Sequence, residues 1–255
     1  MTEKIDSEGE RIAKVIARAG VCSRRDAEKL IAERRVAVDG KVIDTPATKV
    51  TPAQRIRIDG EALPQAEPAR LWRFHKPGGI VTAARDPEGR PTVYDRLPEG
   101  LPRVMPVGRL DITSEGLLLL TNDGELKRRL ELPSTGWIRR YRVRVHGRIS
   151  QSELDKLAEG VTVEGVTYGA IQATLDSQRA SNAWLTMSLR EGKNREIRRV
   201  CEHLELSVNR LIRVSYGPFH LGKLEPGAID EVKGKVLREQ LGQDSLGKRD
   251  ANRRR

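Results

Sequence analysis

The sequence predicts an α+β protein, in which a small ααβ unit precedes a domain built on a mixed, largely antiparallel sheet with flanking helices. Residues 10–62 combine two helical apolar patterns with short alternating strands. Residues 70–240 contain short strand-like stretches interrupted by helical ones. Between these regions, residues 63–69 hold two prolines and no apolar period, which predicts a linker. Two domains are a reasonable division of a chain of 255 residues.

The small unit is predicted from helix and turn signals that follow one another closely. A first helix ends near Gly20 and has one apolar face, formed by Ile12, Val15, Ile16 and Ala19. Ser23 is the predicted N-cap of a second helix, because Asp26 stands three residues later, as in a capping box. Two strands then flank the turn sequence Asp39-Gly40, which is typical of hairpins, and one or two further strands follow.

The larger domain is predicted from alternating apolar residues. The pattern predicts strands at Leu71–Phe74, Leu117–Thr121, Tyr141–Val145, Val161–Val166, Ala170–Leu175 and Trp184–Leu189. Helical patterns fall near residues 123–131, 150–158 and 194–204. Residues 1–9 are polar and residues 241–255 form a basic tail, so we expect disorder in both segments.

Charge is the dominant compositional feature. Lys and Arg number 47 against 36 Asp and Glu, which gives a formal net charge of +11. Such an excess favours a polyanionic partner, usually nucleic acid, although basic proteins also bind acidic partners and membrane surfaces. No run has the apolar length of a signal peptide or a membrane span. We expect a cytoplasmic monomer without membrane partners.

Motifs for metals and cofactors are missing from the sequence. Cys22 and Cys201 lie far apart and are too few for a cysteine-rich zinc site. There is neither a Gly-x-Gly-x-x-Gly fingerprint nor a phosphate-binding loop of P-loop type. We therefore expect no cofactor and no metal.

Basic residues cluster in the small unit. Arg24 and Arg25 fall in the first turn of the second helix, beside N–H groups that can bind phosphate. Arg34, Arg35 and Lys41 extend the positive charge. Each of these side chains alone is best explained as a solvated surface residue, but the set predicts RNA binding. The run from Arg11 to Ile31, followed by Val-Ala-Val-Asp-Gly-Lys-Val-Ile, resembles the S4 RNA-binding domain, which grips structured RNA and implies no reaction.

Asp111 is the candidate for chemistry. It falls in a loop between a Pro-Val-Gly sequence and the apolar strand Leu117–Leu120, and carboxylates on loops held by rigid strands are well placed to act. Arg109, two residues earlier, can hold the carboxylate ionised or contact a phosphate. By itself this pattern decides nothing, because an aspartate in a turn more commonly caps a backbone group.

A resemblance gives this loop a function. Gly-Arg-Leu-Asp, ending at Asp111, followed by Thr-Ser-Glu-Gly-Leu-Leu, resembles the catalytic motif of the RsuA/RluB/RluE/RluF family of pseudouridine synthases. The resemblance covers about residues 10–235 and implies the pseudouridine synthase fold and an rRNA substrate. It also implies that Asp111 is catalytic and that Arg109 enters the RNA helix where the target base leaves.

Further motifs extend the resemblance to other site residues. The Lys-Pro loop places Lys76 near the substrate, and the strand Arg-Tyr-Arg-Val-Arg-Val-His-Gly places Tyr141 beside the target base. The basic helix motif makes Arg198 the partner of the catalytic aspartate, and the closing strand places Leu211 near the base pocket. Helical periodicity independently supports this role for Arg198. The residue borders a predicted buried stripe of Ile197, Val200, Cys201 and Leu204, from which its side chain can reach a buried carboxylate.

The substrate is predicted by analogy alone. The S4 unit and the sequence Asn-Arg-Glu-Ile-Arg-Arg from Asn194 resemble the RluB-like branch, which implies 23S rRNA or a pre-50S particle as partner. A small-subunit target and a non-catalytic S4-type RNA-binding or assembly protein remain alternatives. A carboxylate-dependent hydrolase lacks a paired acid/base or metal motif. Whether the carboxylate attacks C1′ or removes a 2′ proton stays open.

Overall fold

The computed structural model describes residues 9–241, which divide into two compact units. The first is formed by the chain up to Ala69 together with Leu101–Val104 and Asn122–Gly124, and the second by the remainder. Of the two segments expected to be disordered, residues 1–8 and 242–255 lie outside the described residues. Leu241, which we expected to open the C-terminal tail, instead ends a helix and is buried.

The first unit contains two helices and six short strands. In chain order they are β1 (Glu10–Arg11), α1 (Ile12–Arg18), α2 (Arg24–Ala32), β2 (Val36–Val38), β3 (Lys41–Ile43), β4 (Lys49–Val50), β5 (Ile56–Ile58) and β6 (Glu61–Ala62). Four strands form one antiparallel sheet in the order β3-β2-β5-β6, and β1 pairs with β4. The helices bury Ile12, Ile16, Ala27 and Ile31 against this sheet.

The local signals of this unit are confirmed. Ser23 caps α2, its hydroxyl accepting a hydrogen bond from the Asp26 N–H at 3.1 Å. Asp39 and Gly40 have φ angles of 50° and 82°, as a tight hairpin turn between β2 and β3 requires. The hydrophobic core that results is small, but its members come from both helices and the sheet.

The second unit is built on one nine-stranded sheet. Its elements are β7 (Leu71–Lys76), β8 (Met105–Val107), β9 (Ser114–Thr121), α3 (Gly124–Glu131), β10 (Arg139–His146), α4 (Gln151–Asp155), β11 (Val161–Val163), β12 (Val166–Tyr168), β13 (Ile171–Arg179), β14 (Asn182–Leu189), α5 (Glu196–His203), β15 (Ser207–Tyr216), β16 (Phe219–His220), β17 (Ile229–Glu231) and α6 (Gly234–Leu241). The strand order is β13-β14-β10-β15-β9-β7-β17, with β16 beside β15 and β8 beside β9. Among the strands named for the described residues, β9 and β15 alone pair in parallel, so the predicted mixed, largely antiparallel sheet is confirmed.

One predicted strand is wrong. Val161–Val166 is not a single strand but the first half of the hairpin β11–β12, which turns at Glu164 and Gly165 with φ angles of 49° and 78°. β8, β16, β17 and α6 were also not predicted. The three strands are two or three residues long and form because longer neighbouring strands offer pairing partners.

The predicted faces of β10 are confirmed. Tyr141, Val143 and Val145 are buried, whereas the arginines between them are exposed. α5 packs against β15 on the sheet, and its buried side chains include Ile197, Val200 and Cys201. The buried face of β10 therefore bounds the region in which the functional residues meet.

Candidate active site

A cleft of about 860 Å³ opens in the second unit. Its walls come from the loop between β8 and β9, from β10 and β15, and from the segment leading into α5. Four residues predicted for the site line it: Arg109, Asp111, Tyr141 and Leu211. The strands position them from both sides, since β10 and β15 are neighbours and β9 begins where the loop ends.

The loop that carries Asp111, residues 108–113, is tied down along its backbone. Most peptide groups in it have a partner on another element. The contacts are Gly108 N–H to Glu131 Oε1 (2.6 Å), Thr82 Oγ1 to the Leu110 carbonyl (2.8 Å), Gly79 N–H to the Ile112 carbonyl (2.7 Å), and Arg198 Nη2 to the Thr113 carbonyl (3.2 Å). A loop with this many partners presents its carboxylate in a fixed position.

Lys76 is the largest single anchor of this loop. Its side chain is fully buried, and its ammonium donates to the carbonyls of Ser114 (2.8 Å), Pro77 (3.1 Å), Asp111 (3.2 Å) and Ile112 (3.4 Å). Burial lowers the pKa of Lys76 to about 8, while the carboxylate of Asp111 opposes this shift. Lys76 is not among the residues that line the cleft, and its hydrogen bonds go to backbone carbonyls, so this arrangement does not support its predicted role as a substrate-binding residue.

Gly116 allows the two strands beside the loop to approach closely. Its φ is +101°, and a Cβ built there would lie 2.3 Å from the carbonyl oxygen of Arg213. Gly116 and Arg213 are register partners in the parallel pair β9–β15. Only glycine fits at this position, because both the backbone angle and the space exclude a side chain. Gly116 thus allows β9, which begins where the Asp111 loop ends, to lie close to β15, which carries Leu211.

Tyr141 and Leu211 form the apolar part of the cleft. Tyr141 is 9% exposed and Leu211 is 5% exposed, so each shows the cleft only a small surface. Tyr141 pairs with Met187 on one side and with Arg213 on the other, which holds the ring at the centre of the sheet. A flat base entering the cleft would meet an aromatic ring and an aliphatic side chain.

Arg198 lies inside the protein rather than at the edge of the stripe. It is 8% exposed and donates to the carbonyls of Val208 (3.3 Å) and Thr113 (3.2 Å), and its Nε has no partner among the described residues. Burial lowers the pKa of its guanidinium, and Asp111 opposes that shift. The interaction of Arg198 with Asp111 is thus electrostatic, while its hydrogen bonds go to the backbone of the loop at Thr113 and of β15 at Val208.

Cations surround the mouth of the cleft. Arg109 is exposed and lines it, so its guanidinium is accessible to a phosphate. The cleft is also lined by further basic residues that the sequence analysis did not single out, among them Arg139, Arg190, Lys193 and Arg195. Their signal was a high density of basic residues in the segments before β10 and α5, which is weak in a chain of net charge +11.

Glu196 is a second site residue that was missed. It begins α5, is 3% exposed and lines the cleft. Burial raises the pKa of its carboxyl to about 7, and neighbouring Glu191 adds to this. Its position four residues before Val200 places it on the buried stripe, a signal that helical periodicity contained.

Comparisons with known proteins identify the family. The profile described as RNA pseudouridylate synthase matches residues 70–203. A Rickettsia felis protein named an uncharacterized RNA pseudouridine synthase is 47% identical over 228 residues, covering 89% of this chain and 99% of that protein. This chain belongs to the RNA pseudouridine synthases. The resemblance on which the sequence analysis relied is therefore confirmed.

Other relatives of this synthase are named for their substrate. The ribosomal large subunit pseudouridine synthase B of Pasteurella multocida is 42% identical over 245 residues, covering 92% of this chain and 71% of that protein. Its counterpart in Salmonella typhimurium is 44% identical over 221 residues, covering 84% and 76%. A crystal structure titled pseudouridylate synthase, 23% identical, aligns with a TM-score of 0.65 over 91% of this chain and 99% of its own, which supports the fold.

The first unit is the RNA-binding part of the synthase. The S4 domain profile matches residues 10–61. All five basic residues predicted for RNA binding are exposed: Arg24, Arg25, Arg34, Arg35 and Lys41. Arg35 differs from the others, because it forms a double hydrogen bond with Asp59 (2.9 and 2.6 Å) and a contact with Glu33 at 3.2 Å. These partners raise the pKa of Arg35 and leave it less available to phosphate.

The described residues include neither a membrane-spanning helix nor a cluster of metal-binding side chains. Across residues 9–241, no helix combines the length and apolar character that a membrane crossing requires. Within the same range, no three side chains of the metal-binding kinds come together.

Proposed function

We propose that this synthase isomerises a uridine of large-subunit ribosomal RNA and that Asp111 is its catalytic carboxylate. The observation that carries the proposal is the position of Asp111, on a loop held by four side chains (Lys76, Thr82, Glu131 and Arg198) and in one cleft with Tyr141. The large-subunit target rests on the names of the relatives in Pasteurella multocida and Salmonella typhimurium.

The reaction explains why one carboxylate is enough. The N1–C1′ bond of uridine breaks, the uracil turns, and a C5–C1′ bond forms while C5 loses a proton and N1 gains one. No atom enters or leaves overall, so the reaction consumes neither an oxidant nor a nucleotide. A carboxylate at the ribose serves two routes: attack on C1′ or removal of the 2′ proton. Both routes require Asp111 to be ionised.

Two buried cations interact with Asp111. Lys76 and Arg198 each interact electrostatically with Asp111, as the opposing influences on their pKa values indicate. Both also bind carbonyls of the same loop, so the charges stay in place without reorganisation. We infer that these two residues position and polarise the carboxylate and do not touch the RNA.

The remaining residues handle the base. A uridine must leave its stack to reach Asp111, which costs a few kcal/mol. We infer that Arg109 contacts the RNA where the base departs, because it is exposed at the cleft two residues before Asp111. Tyr141 then offers a ring on which the uracil stacks, or a group that assists proton loss from C5, and Leu211 closes the pocket beside it.

The features of the cleft also bear on two alternative functions. A non-catalytic S4-type assembly protein does not need a clamped carboxylate in a cleft of nucleotide size, so we do not favour it. A small-subunit target is compatible with the cleft, and the relatives' names argue against it.

Mapping distinguishes these possibilities. Pseudouridines in the ribosomal RNA of cells lacking the protein are mapped with carbodiimide, with and without the wild-type gene restored. The proposal expects one signal in the large-subunit RNA to disappear and to return with the gene. A missing signal in the small-subunit RNA would overturn the target, and an unchanged map of both RNAs would overturn the proposed function.

A further inference from the structure

Two buried polar atoms in the cleft have no partner. Among the described residues, five buried side chains carry an unpaired nitrogen or oxygen, and only Glu196 (Oε1) and Arg213 (Nη2) also line the cleft. Glu196 is 3% exposed and Arg213 is 2% exposed. An unpaired buried polar group destabilises the folded protein, and more so when it is charged, so a pair of them in one cleft indicates a ligand.

Each of the two side chains has protein contacts that fix it and one polar atom that has no partner. Glu196 accepts the N–H of Lys193 at 2.8 Å through Oε2, which leaves Oε1 free. Arg213 donates from Nε to the Leu117 carbonyl at 2.8 Å, and its guanidinium carbon lies 5.2 Å from the ring centre of Tyr216. Neither group can turn away from the cleft without losing these contacts.

The two atoms differ in hydrogen-bonding character. A carboxylate oxygen accepts, and a guanidinium N–H donates. Uracil offers the complement on one edge, since N3–H is a donor and O2 and O4 are acceptors. Cytosine offers the reverse at two positions, with an acceptor at N3 and a donor at N4. Enzymes that extract a base read this edge with hydrogen bonds.

We propose that Glu196 and Arg213 hold the pairing edge of the target uracil, with Glu196 accepting from N3–H and Arg213 donating to a ring carbonyl. Arg213 follows Leu211 by two residues on one strand and is the register partner of Tyr141. The groups that contact the edge of the base therefore lie beside the groups that contact its face. The assignment makes these residues determinants of specificity for uracil over cytosine.

The contacts from Glu196 and Arg213 are also compatible with the rotation of the uracil during the reaction. Uracil is close to symmetric about the line from N3 to C6. Rotation about that line exchanges N1 with C5 and O2 with O4, and leaves N3–H where it was. A carboxylate on N3–H therefore acts as a pivot, and a guanidinium meets a carbonyl oxygen both before and after rotation. The base is retained after its bond to the ribose breaks.

The first test measures chemistry apart from RNA binding. RNA labelled with [5-³H]uridine is prepared from cells lacking the protein, and tritium release is followed with excess enzyme. We expect Glu196→Leu and Arg213→Met to slow the single-turnover rate about 10- to 100-fold. RNA affinity, measured by filter binding, should change less than about twofold, because the edge contacts form only after the base leaves its stack. Glu196→Gln keeps an acceptor and should restore much of the rate.

Matched controls and a modified RNA separate recognition from folding. Glu202→Gln and Arg179→Met alter exposed residues of α5 and β13 and should release tritium at the wild-type rate. On an RNA fragment that carries 3-methyluridine at the mapped site, N3 has no proton to donate. The wild type should then react at the rate that Glu196→Leu shows on unmodified RNA. The rate of Glu196→Leu itself should not fall further on the modified RNA.

The outcomes are distinguishable from those of the proposed function, on which this inference rests. A wild-type enzyme that releases no tritium from this RNA overturns the proposed function. The inference is overturned if the wild type is active and both Glu196→Leu and Arg213→Met release tritium at the wild-type rate. The inference is also overturned if 3-methyluridine slows the wild type and Glu196→Leu by the same factor, because the two losses are then additive.

Discussion

The buried ammonium of Lys76 donates to the backbone carbonyl of Asp111 over 3.2 Å. A residue that the sequence placed at the substrate therefore acts on the protein itself. The same ammonium binds Ser114 at 2.8 Å, so one cation joins the loop to the start of β9. Anchoring of this kind is how a flexible connection comes to hold a carboxylate in one position.

Removing this anchor should weaken both the fold and the activity. Lys76→Met leaves several carbonyls without a donor, and we expect the free energy of unfolding to fall by about 3 kcal/mol. Urea denaturation measures the change. Lys156→Met, on an exposed lysine, is the control and should stay within about 0.5 kcal/mol of wild type. Equal stability of the two variants would contradict the anchoring role.

Gly116 should tolerate no side chain. Gly116→Ala places a Cβ 2.3 Å from the Arg213 carbonyl oxygen, so β9 and β15 must separate. Gly165→Ala is a matched control, because its φ is also positive at +78° but nothing lies within 4 Å of the added carbon. We expect a loss of about 1 kcal/mol for Gly165→Ala and several times that for Gly116→Ala. Similar melting temperatures for the two variants would show that the strands are not closely apposed.

Glu196 should make stability depend on pH. Burial raises its pKa from 4.5 to about 7, so between these values the folded protein binds more protons than the unfolded chain. The contribution of this carboxyl to stability is therefore present below pH 4.5 and is lost as the pH rises to about 7. The charged neighbours Glu191 and Lys193 face it from the preceding segment.

The comparison with Glu196→Gln isolates this effect. Unfolding free energies of both proteins are measured from pH 5 to pH 8. The stability of the wild type relative to the variant should decline over this range, on the order of 2 kcal/mol. Glu202→Gln, an exposed substitution in the same helix, should leave the slope unchanged. A constant difference between wild type and Glu196→Gln would mean that the carboxyl titrates as it does in the unfolded chain.

The basic residues of the S4 unit should not contribute equally to RNA binding. Arg24 is exposed beside the first turn of α2, whereas Arg35 is engaged by Asp59 and Glu33. Arg24→Gln should lower RNA affinity and reduce the slope of affinity against salt by about 1. Arg35→Gln should change both less. Filter binding over a range of salt concentrations tests this, and a larger effect for Arg35 would contradict the assignment.

Local signals predicted much of the fold. The Ser23 cap and the Asp39-Gly40 turn are interactions between near neighbours in the chain, which is why periodicity and turn chemistry identified them. Alternation predicted the faces of β10 equally well. The hairpin at Glu164 and Gly165 was missed because both of its strands are three residues long and their valines were read as one strand.

Long-range relationships could not be predicted in this way. The parallel pairing of β9 with β15 joins residues about a hundred positions apart, and nothing local specifies it. The burial of Lys76 depends on the pairing of β7 with β9, because the carbonyls of the Asp111 loop and of the start of β9 meet its ammonium only in the folded sheet. The same holds for Arg213, which reads as an ordinary strand arginine until Gly116 and Leu117 lie beside it.

The central claim, that Asp111 is the catalytic carboxylate, is tested most directly by complementation. Cells lacking the protein receive the wild type, Asp111→Asn, or Asp155→Asn as an exposed control, at matched protein levels. The account predicts that the missing pseudouridine returns with the wild type and with Asp155→Asn, and stays absent with Asp111→Asn although that variant folds. Restoration of the pseudouridine by Asp111→Asn would contradict it.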